Sequence, residues 1–217
     1  MEKRKLFAGI LVFGSLWGFS ECIIGSMLRD ANLPAGAIMT GVFAFGLMAA
    51  SRMFYKMQGM QFVMGLVAGA LRLFNPFGGC HLCSAIAIMA EGLLFEIIWY
   101  GVPLALDEFS TLTTRSSLGI VTSYGIYVVG YLITQILTPV FSSAGFFVQN
   151  LVVFIPQILS SGLLAAVIGG IMAPILFFLK DVNISMVKNN VYYPVTIGVS
   201  ALCWLIVITN STLMLGI

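Results

Sequence analysis

Seven apolar runs separated by short polar connections fill most of the chain, at about 6–27, 35–54, 61–76, 84–104, 117–140, 148–179 and 195–216. Crossing the hydrocarbon core of a bilayer takes about 20 apolar residues in a helix, and each run is near or above that length. In lipid every backbone N–H and C=O must be satisfied within the protein, which favours helices for runs of this kind. The chain is 60% hydrophobic and only 8% charged, whereas an ordinary soluble domain carries about 25% charged residues. The sequence therefore reads as an all-α, polytopic membrane helix bundle of about seven spans, with residues 1–217 forming a single transmembrane domain. The third run is short and ends in Asn75-Pro76-Phe77-Gly78-Gly79. The sixth is long and carries Pro156 and Pro174, features of a tilted or kinked helix or of a partly interfacial one.

At 217 residues there is no room for an attached catalytic module. No Gly-x-x-x-x-Gly-Lys-Ser/Thr phosphate loop occurs, so the chain does not hydrolyse ATP by that route. Uphill transport would draw on a gradient or on partner subunits, and no enzyme activity and no nucleic-acid partner are expected. Met1-Glu2-Lys3-Arg4-Lys5 gives the first run the basic flank of a signal peptide. The run continues to Met27 without a small-x-small cleavage pattern, and reads instead as a retained first helix.

Lys and Arg collect on the cytoplasmic side of membrane proteins. With the N-terminus inside, that side receives Lys3, Arg4, Lys5, Arg52, Lys56, Arg115, Lys180 and Lys188, while the outer loops receive only Arg29. The expected location is the plasma membrane, with the N-terminus cytoplasmic and an odd number of spans carrying Ile217 outside. Trp99, Tyr100 and the Tyr192-Tyr193 pair are expected as inner interfacial anchors.

Small residues form stripes at helical spacing: Gly14, Gly18, Cys22 and Gly25 in the first run, Gly65 and Gly69 in the third, and Gly162, Ala166 and Gly170 in the sixth. Such stripes let backbones approach closely in lipid. They serve either packing within the bundle or the docking of a partner membrane protein.

Glu21, Arg72, Glu91 and Glu96 lie inside apolar runs. Ionisable residues at membrane depth are rare, face protein or water, and mark ligand, proton or ion paths. At 1.5 Å per residue, Glu21 lies about 9 Å, Arg72 about 5–6 Å and Glu91 about 12 Å below the outer ends of their helices. Each shares a helix face with small residues. One arginine balances only one of two carboxylates, which leaves the other for a proton or for a cationic or hydrogen-bonding ligand. The alternative is an Arg–Glu bridge that fixes helix register. Glu96 is five residues from Glu91, about 140° around the helix, and is placed outside the site.

Between the third and fourth runs lies Cys80-His81-Leu82-Cys83, which contains the chain's only histidine. Gly78 and Gly79 permit unusual backbone angles, and the free N–H groups that begin the fourth helix suit an anionic ligand group. The four residues read as a thiol–disulfide centre, as a metal site of Cys80, His81 and Cys83 with Cys22 as a fourth ligand, as a source of a haem ligand, or as a plain outer turn. Trp17, one turn before Glu21, together with Asn75, Gln149, Asn150 and Gln157, suits a pocket for a flat organic ligand. Cys203 has no polar companion and reads as inert.

Trp17-Gly18 with Glu21, the stripe around Gly14 and Gly18, and Asn75-Pro76-Phe77-Gly78-Gly79 before the fourth run give a chain of this size and orientation a resemblance to the substrate-binding S component of energy-coupling factor (ECF) transporters. The resemblance covers roughly the first six spans. It implies a six-helix core that binds a small vitamin- or cofactor-like solute or a metal from outside; metal or haem binding through His81 and the cysteines would be a separate device. It also implies a transmembrane coupling subunit and two ATPase subunits as partners, with toppling in the membrane to release substrate. Read from the residues themselves, the expected binding set is Trp17, Glu21, Arg72, Asn75, His81, Glu91, Gln149 and Gln157. The seventh, C-terminal span departs from the vitamin binders. The nickel and cobalt members begin Met-His where this chain begins Met1-Glu2, so their N-terminal metal mechanism is not expected here. Two other classes stand beside this one: a membrane thiol–disulfide oxidoreductase using Cys80 and Cys83, and a proton-coupled carrier with Glu91 as relay.

Overall fold

A computed structural model describes residues 3–74, 81–101, 111–141, 148–182 and 184–215. Six helices in it are long and apolar enough to cross a membrane. They are α1 (Lys3–Asp30), α2 (Ala35–Tyr55), α4 (His81–Tyr100), α5 (Leu112–Phe141), α6 (Val148–Phe177) and α7 (Asn189–Leu215). A shorter helix, α3 (Met60–Arg72), lies between α2 and α4. Its 13 residues span about 20 Å at 1.5 Å each, less than the roughly 30 Å hydrocarbon core. The third run thus becomes a helix that stops at Arg72 and does not cross by its own length. Pro156 and Pro174 stay inside a single continuous α6. No strand occurs among the described residues.

Tight connections make the first three helices antiparallel neighbours. Between α1 and α2, Leu33 N donates to Leu28 O at 2.9 Å and Asn32 takes a left-handed conformation. Between α2 and α3 the chain turns through Lys56 and Gly59, both at positive φ; Gly59, at +86°, is where a residue without Cβ costs least.

The small-residue stripes are consumed inside the bundle. A Cβ on Gly14 would come within 2.9 Å of Met64 O, and one on Gly18 within 3.0 Å of the Ala68 Cα, so α1 and α3 pack backbone to backbone. On α3, a Cβ at Gly69 would meet Ala85 O of α4 at 2.9 Å; from α4, one at Gly92 would meet Gln61 O at 2.7 Å. A Cβ on Gly119 of α5 would collide with the Gly169 carbonyl of α6. Of the two roles expected for these stripes, the structure assigns internal packing.

The order of packing is α1 on α3, α3 on α4, α4 on α5 and α5 on α6, with α2 against α6 and in lesser contact with α1 and α3. Phe45, Phe95, Trp99 and Phe177 fill the core, with Phe95 and Trp99 stacked at 4.7 Å. Trp99 is 2% exposed and donates through Nε1 to Thr122 Oγ1 at 3.1 Å. The expected interfacial tryptophan is therefore a core residue. Tyr192 is likewise buried; its hydroxyl donates to Lys5 O at 2.8 Å and lies 2.6 Å from the Tyr55 hydroxyl.

Helix α7 packs chiefly on α1, through Trp204 Nε1 to Ser15 Oγ at 3.1 Å, and Lys5 Nζ of α1 donates to Val187 O, just before α7, at 2.9 Å. More than half of the described residues of α7 are exposed. It is an addition to the outside of the bundle formed by α1–α6. Contacts among Lys5, Tyr55 and Tyr192, and of Arg115 with Phe177 at 5.0 Å, gather the basic residues toward one end. Arg29 and Arg72 belong to the helix ends on the other side.

Candidate functional site

At the end away from the basic cluster, α1–α5 surround a cavity of about 220 Å³. Glu21, Arg72 and Glu91 all line it, delivered from α1, α3 and α4. Helix geometry explains the delivery. Ser20–Ile24 forms a wide π turn within α1, and Met39–Ala44 forms another within α2. Such turns add a residue to the helical repeat and re-aim side chains, and they recur at functional sites. Glu21 sits in the first and Thr40 in the second, and both face the cavity.

On α4 the lining residues are Ser84, Ala87, Ile88 and Glu91, spaced as one helix face. Arg72 is buried at the end of α3 and donates through Nε to Ser84 Oγ at 3.1 Å. Glu91 is 8% exposed. It packs so tightly on α5 that a Cβ on Gly130 would overlap Oε1 and come within 3.2 Å of Cγ. Its Oε2 is buried with no hydrogen-bond partner among the described residues. Two carboxylates, Glu21 and Glu91, and two guanidinium groups, Arg29 and Arg72, share the cavity. The set is uneven: Arg72 Nε is given to Ser84, while one buried oxygen of Glu91 meets no donor among the described residues.

Tyr131 completes the wall. Its hydroxyl occupies the space that a side chain at Gly36 would take, so α2 and α5 meet through ring and backbone. Tyr127 stacks on Tyr131 at 4.5 Å. Thr134 lines the cavity too, its Oγ1 bonded to Gly130 O at 3.0 Å. Exposed Arg29 stands at the rim.

Other expected site residues fall elsewhere. Trp17 is fully buried in the main core, beside the cavity but not among its lining residues. Gln157 is exposed on α6 and lines a separate lateral groove with Tyr127, Tyr131 and Gln135. His81 opens α4, also outside the cavity lining, with Nδ1 buried and unbonded among the described residues. Asn75 and Cys80 lie outside the described residues, as do the side chains of Gln149 and Asn150.

Cys83 is disulfide-bonded, so its sulfur offers no thiolate to a metal in that state. Cys22, expected as a fourth metal ligand, points instead toward Leu71 O at 3.8 Å, in an apolar cluster with Val207. Among the described residues no group of three or more His, Cys, Asp or Glu side chains is placed to hold a metal ion. Cys203 is a buried free thiol.

Glu96 stands apart from the cavity. Its Oε1 accepts the backbone N–H of Gln61 at 2.8 Å and of Phe62 at 3.5 Å, in the first turn of α3. With its amide nitrogen turned toward the carboxylate, Gln61 also donates to Oε1 at 2.9 Å while its oxygen accepts from Ser51 Oγ. A carboxylate there satisfies donors that the helix cannot satisfy itself and complements the helix dipole.

Comparison of the chain with protein-family models, curated proteins and solved structures gives no match.

Proposed function

We propose that the protein is the membrane-embedded solute-binding subunit of an uptake system of the energy-coupling factor type. The observation that carries this reading is the convergence of Glu21, Arg72 and Glu91 from three helices on one cavity. Charged groups at membrane depth are costly, and ligand paths are their characteristic setting. With the basic end cytoplasmic by the positive-inside rule, the cavity faces outward and takes solute from that side. Wide turns at Glu21 and Thr40, and close packing elsewhere, suit a pre-formed pocket on a rigid scaffold.

The volume narrows the cargo. About 220 Å³ lies below the roughly 300–1,000 Å³ of pockets that hold drug-sized ligands. The solute is therefore a small polar molecule, well below a haem in size. Energy comes from partners: a transmembrane coupling subunit and two ATPase subunits in the plasma membrane.

Gentle purification from native membranes tests the reading. Intact-complex mass should give this chain with a coupling subunit and two ATPases. Solute accumulation by the chain alone in proteoliposomes, driven by a proton gradient, would overturn it in favour of a carrier.

A further inference from the structure

We propose that the cavity's ligand is a small organic cation, an amine or amidine whose charged nitrogen is held between Glu91 and Glu21. The proposal rests on the solute-binding reading above and narrows it to a chemical class.

Glu91 is more than nine-tenths buried, lines the cavity, and has one carboxylate oxygen without a partner among the described residues. Gly130 presses on the other oxygen, which holds the group in place. An ionised carboxylate out of water costs several kcal/mol unless a counter-charge meets it. Arg72 and Arg29 line the same cavity, but Arg72 Nε is given to Ser84 Oγ and Arg29 stands exposed at the rim. The buried oxygen of Glu91 thus lacks a donor among the described residues, and a cationic nitrogen from outside would supply one.

A metal ion asks for a full coordination shell anchored by several strong ligands, and no group of three or more His, Cys, Asp or Glu side chains placed to hold one occurs among the described residues. A protonated nitrogen needs less. Its N–H groups can donate charge-assisted hydrogen bonds to both carboxylates. An ammonium is also attracted to an aromatic face such as that of Tyr131. Met39, Ala87 and Ile88 supply an apolar wall for the carbon skeleton. The volume limits that skeleton to a short chain or a single ring.

The test uses purified full-length chain in lipid nanodiscs. Alkylamines of increasing length and benzamidine are compared with alcohols and carboxylic acids of matching shape, with sodium and magnesium ions as further probes. Binding is read by calorimetry and by thermal stabilisation. The amines or amidine should bind and their isosteres should not. Glu91→Gln should weaken that binding about tenfold to a hundredfold, the loss of one charge-assisted hydrogen bond. Glu96→Gln should leave it unchanged. Equal or tighter binding of the alcohols or acids overturns the proposal, as does undiminished amine binding by Glu91→Gln or stabilisation by an inorganic ion alone. If a neutral or anionic isostere binds and Ala87→Leu abolishes it, the cation class falls while the solute-binding reading stands. If no probe binds and the wild-type chain carries no solute in native mass spectrometry, both fall.

Discussion

Glu96 and Glu91 lie five residues apart on one helix and in different surroundings: Glu96 accepts from the start of α3, and Glu91 lines the cavity. Replacing Glu96 with alanine removes the acceptor for the Gln61 N–H at 2.8 Å and the weaker one for Phe62 at 3.5 Å. Both donors belong to the first turn of α3, where no intrahelical partner exists. A hydrogen bond to a charged group contributes about 1.5–3 kcal/mol, and a buried donor left unmet costs about 1–3 kcal/mol. These describe one loss from two sides and are not added. With the Gln61 side chain also released, Glu96→Ala should destabilise the protein by about 2–4 kcal/mol. Glu96→Gln keeps an oxygen acceptor and should cost about 1 kcal/mol. Reversible unfolding in mixed micelles measures both, with solute retention followed on the same samples. The reasoning predicts a large stability loss with retention intact in the surviving folded fraction of Glu96→Ala. Stability equal to wild type, or equal losses in the alanine and glutamine variants, would refute the capping role.

Three further outcomes follow from the same contacts. Tyr192→Phe removes the hydroxyl that bonds Lys5 O and meets Tyr55, so it should loosen α7 at a cost of about 1–2 kcal/mol; protease accessibility of α7 equal to wild type would argue against this fastening. Gly119→Leu drives a side chain into the Gly169 carbonyl, and overpacking of about 1–3 kcal/mol or more should appear as a lowered unfolding midpoint, whereas an unchanged midpoint would contradict the close α5–α6 approach. Single cysteines introduced in the Arg29–Asn32 turn should react with an impermeant label from outside, while those at Lys56, Arg115 and Lys188 should be spared; the reverse pattern would invert the cavity's orientation.

The long helices are legible in the chain because lipid demands long apolar runs, and their limits in the structure follow those runs closely. The convergence of Glu21, Arg72 and Glu91 is legible for the same reason: a charge in such a run stands out, and the small residues beside it mark the protein-facing side. Uncharged polar residues give no such contrast. Thr40, Thr134 and Tyr131 line the cavity, yet a threonine in an apolar helix can equally bond its own backbone, as Thr134 also does. Ser84 was within reach, since it shares a face with Ala87 and Glu91. Trp99 shows the opposite failure. An aromatic residue near a helix end suggests an interfacial anchor, but whether its ring turns to lipid or core depends on neighbouring helices that no local pattern reveals. The wide turns in α1 and α2 carry no sequence mark, and they shift the positions of everything that follows them.

The central claim is that a small solute occupies the cavity between Glu21, Arg72 and Glu91. Native mass spectrometry of the chain purified from its own cells, beside an Ala87→Leu variant that fills the cavity, tests this most directly. The account predicts a bound small molecule in the wild type and its loss in the variant at unchanged fold. The same mass retained by both proteins, or by neither, would contradict it.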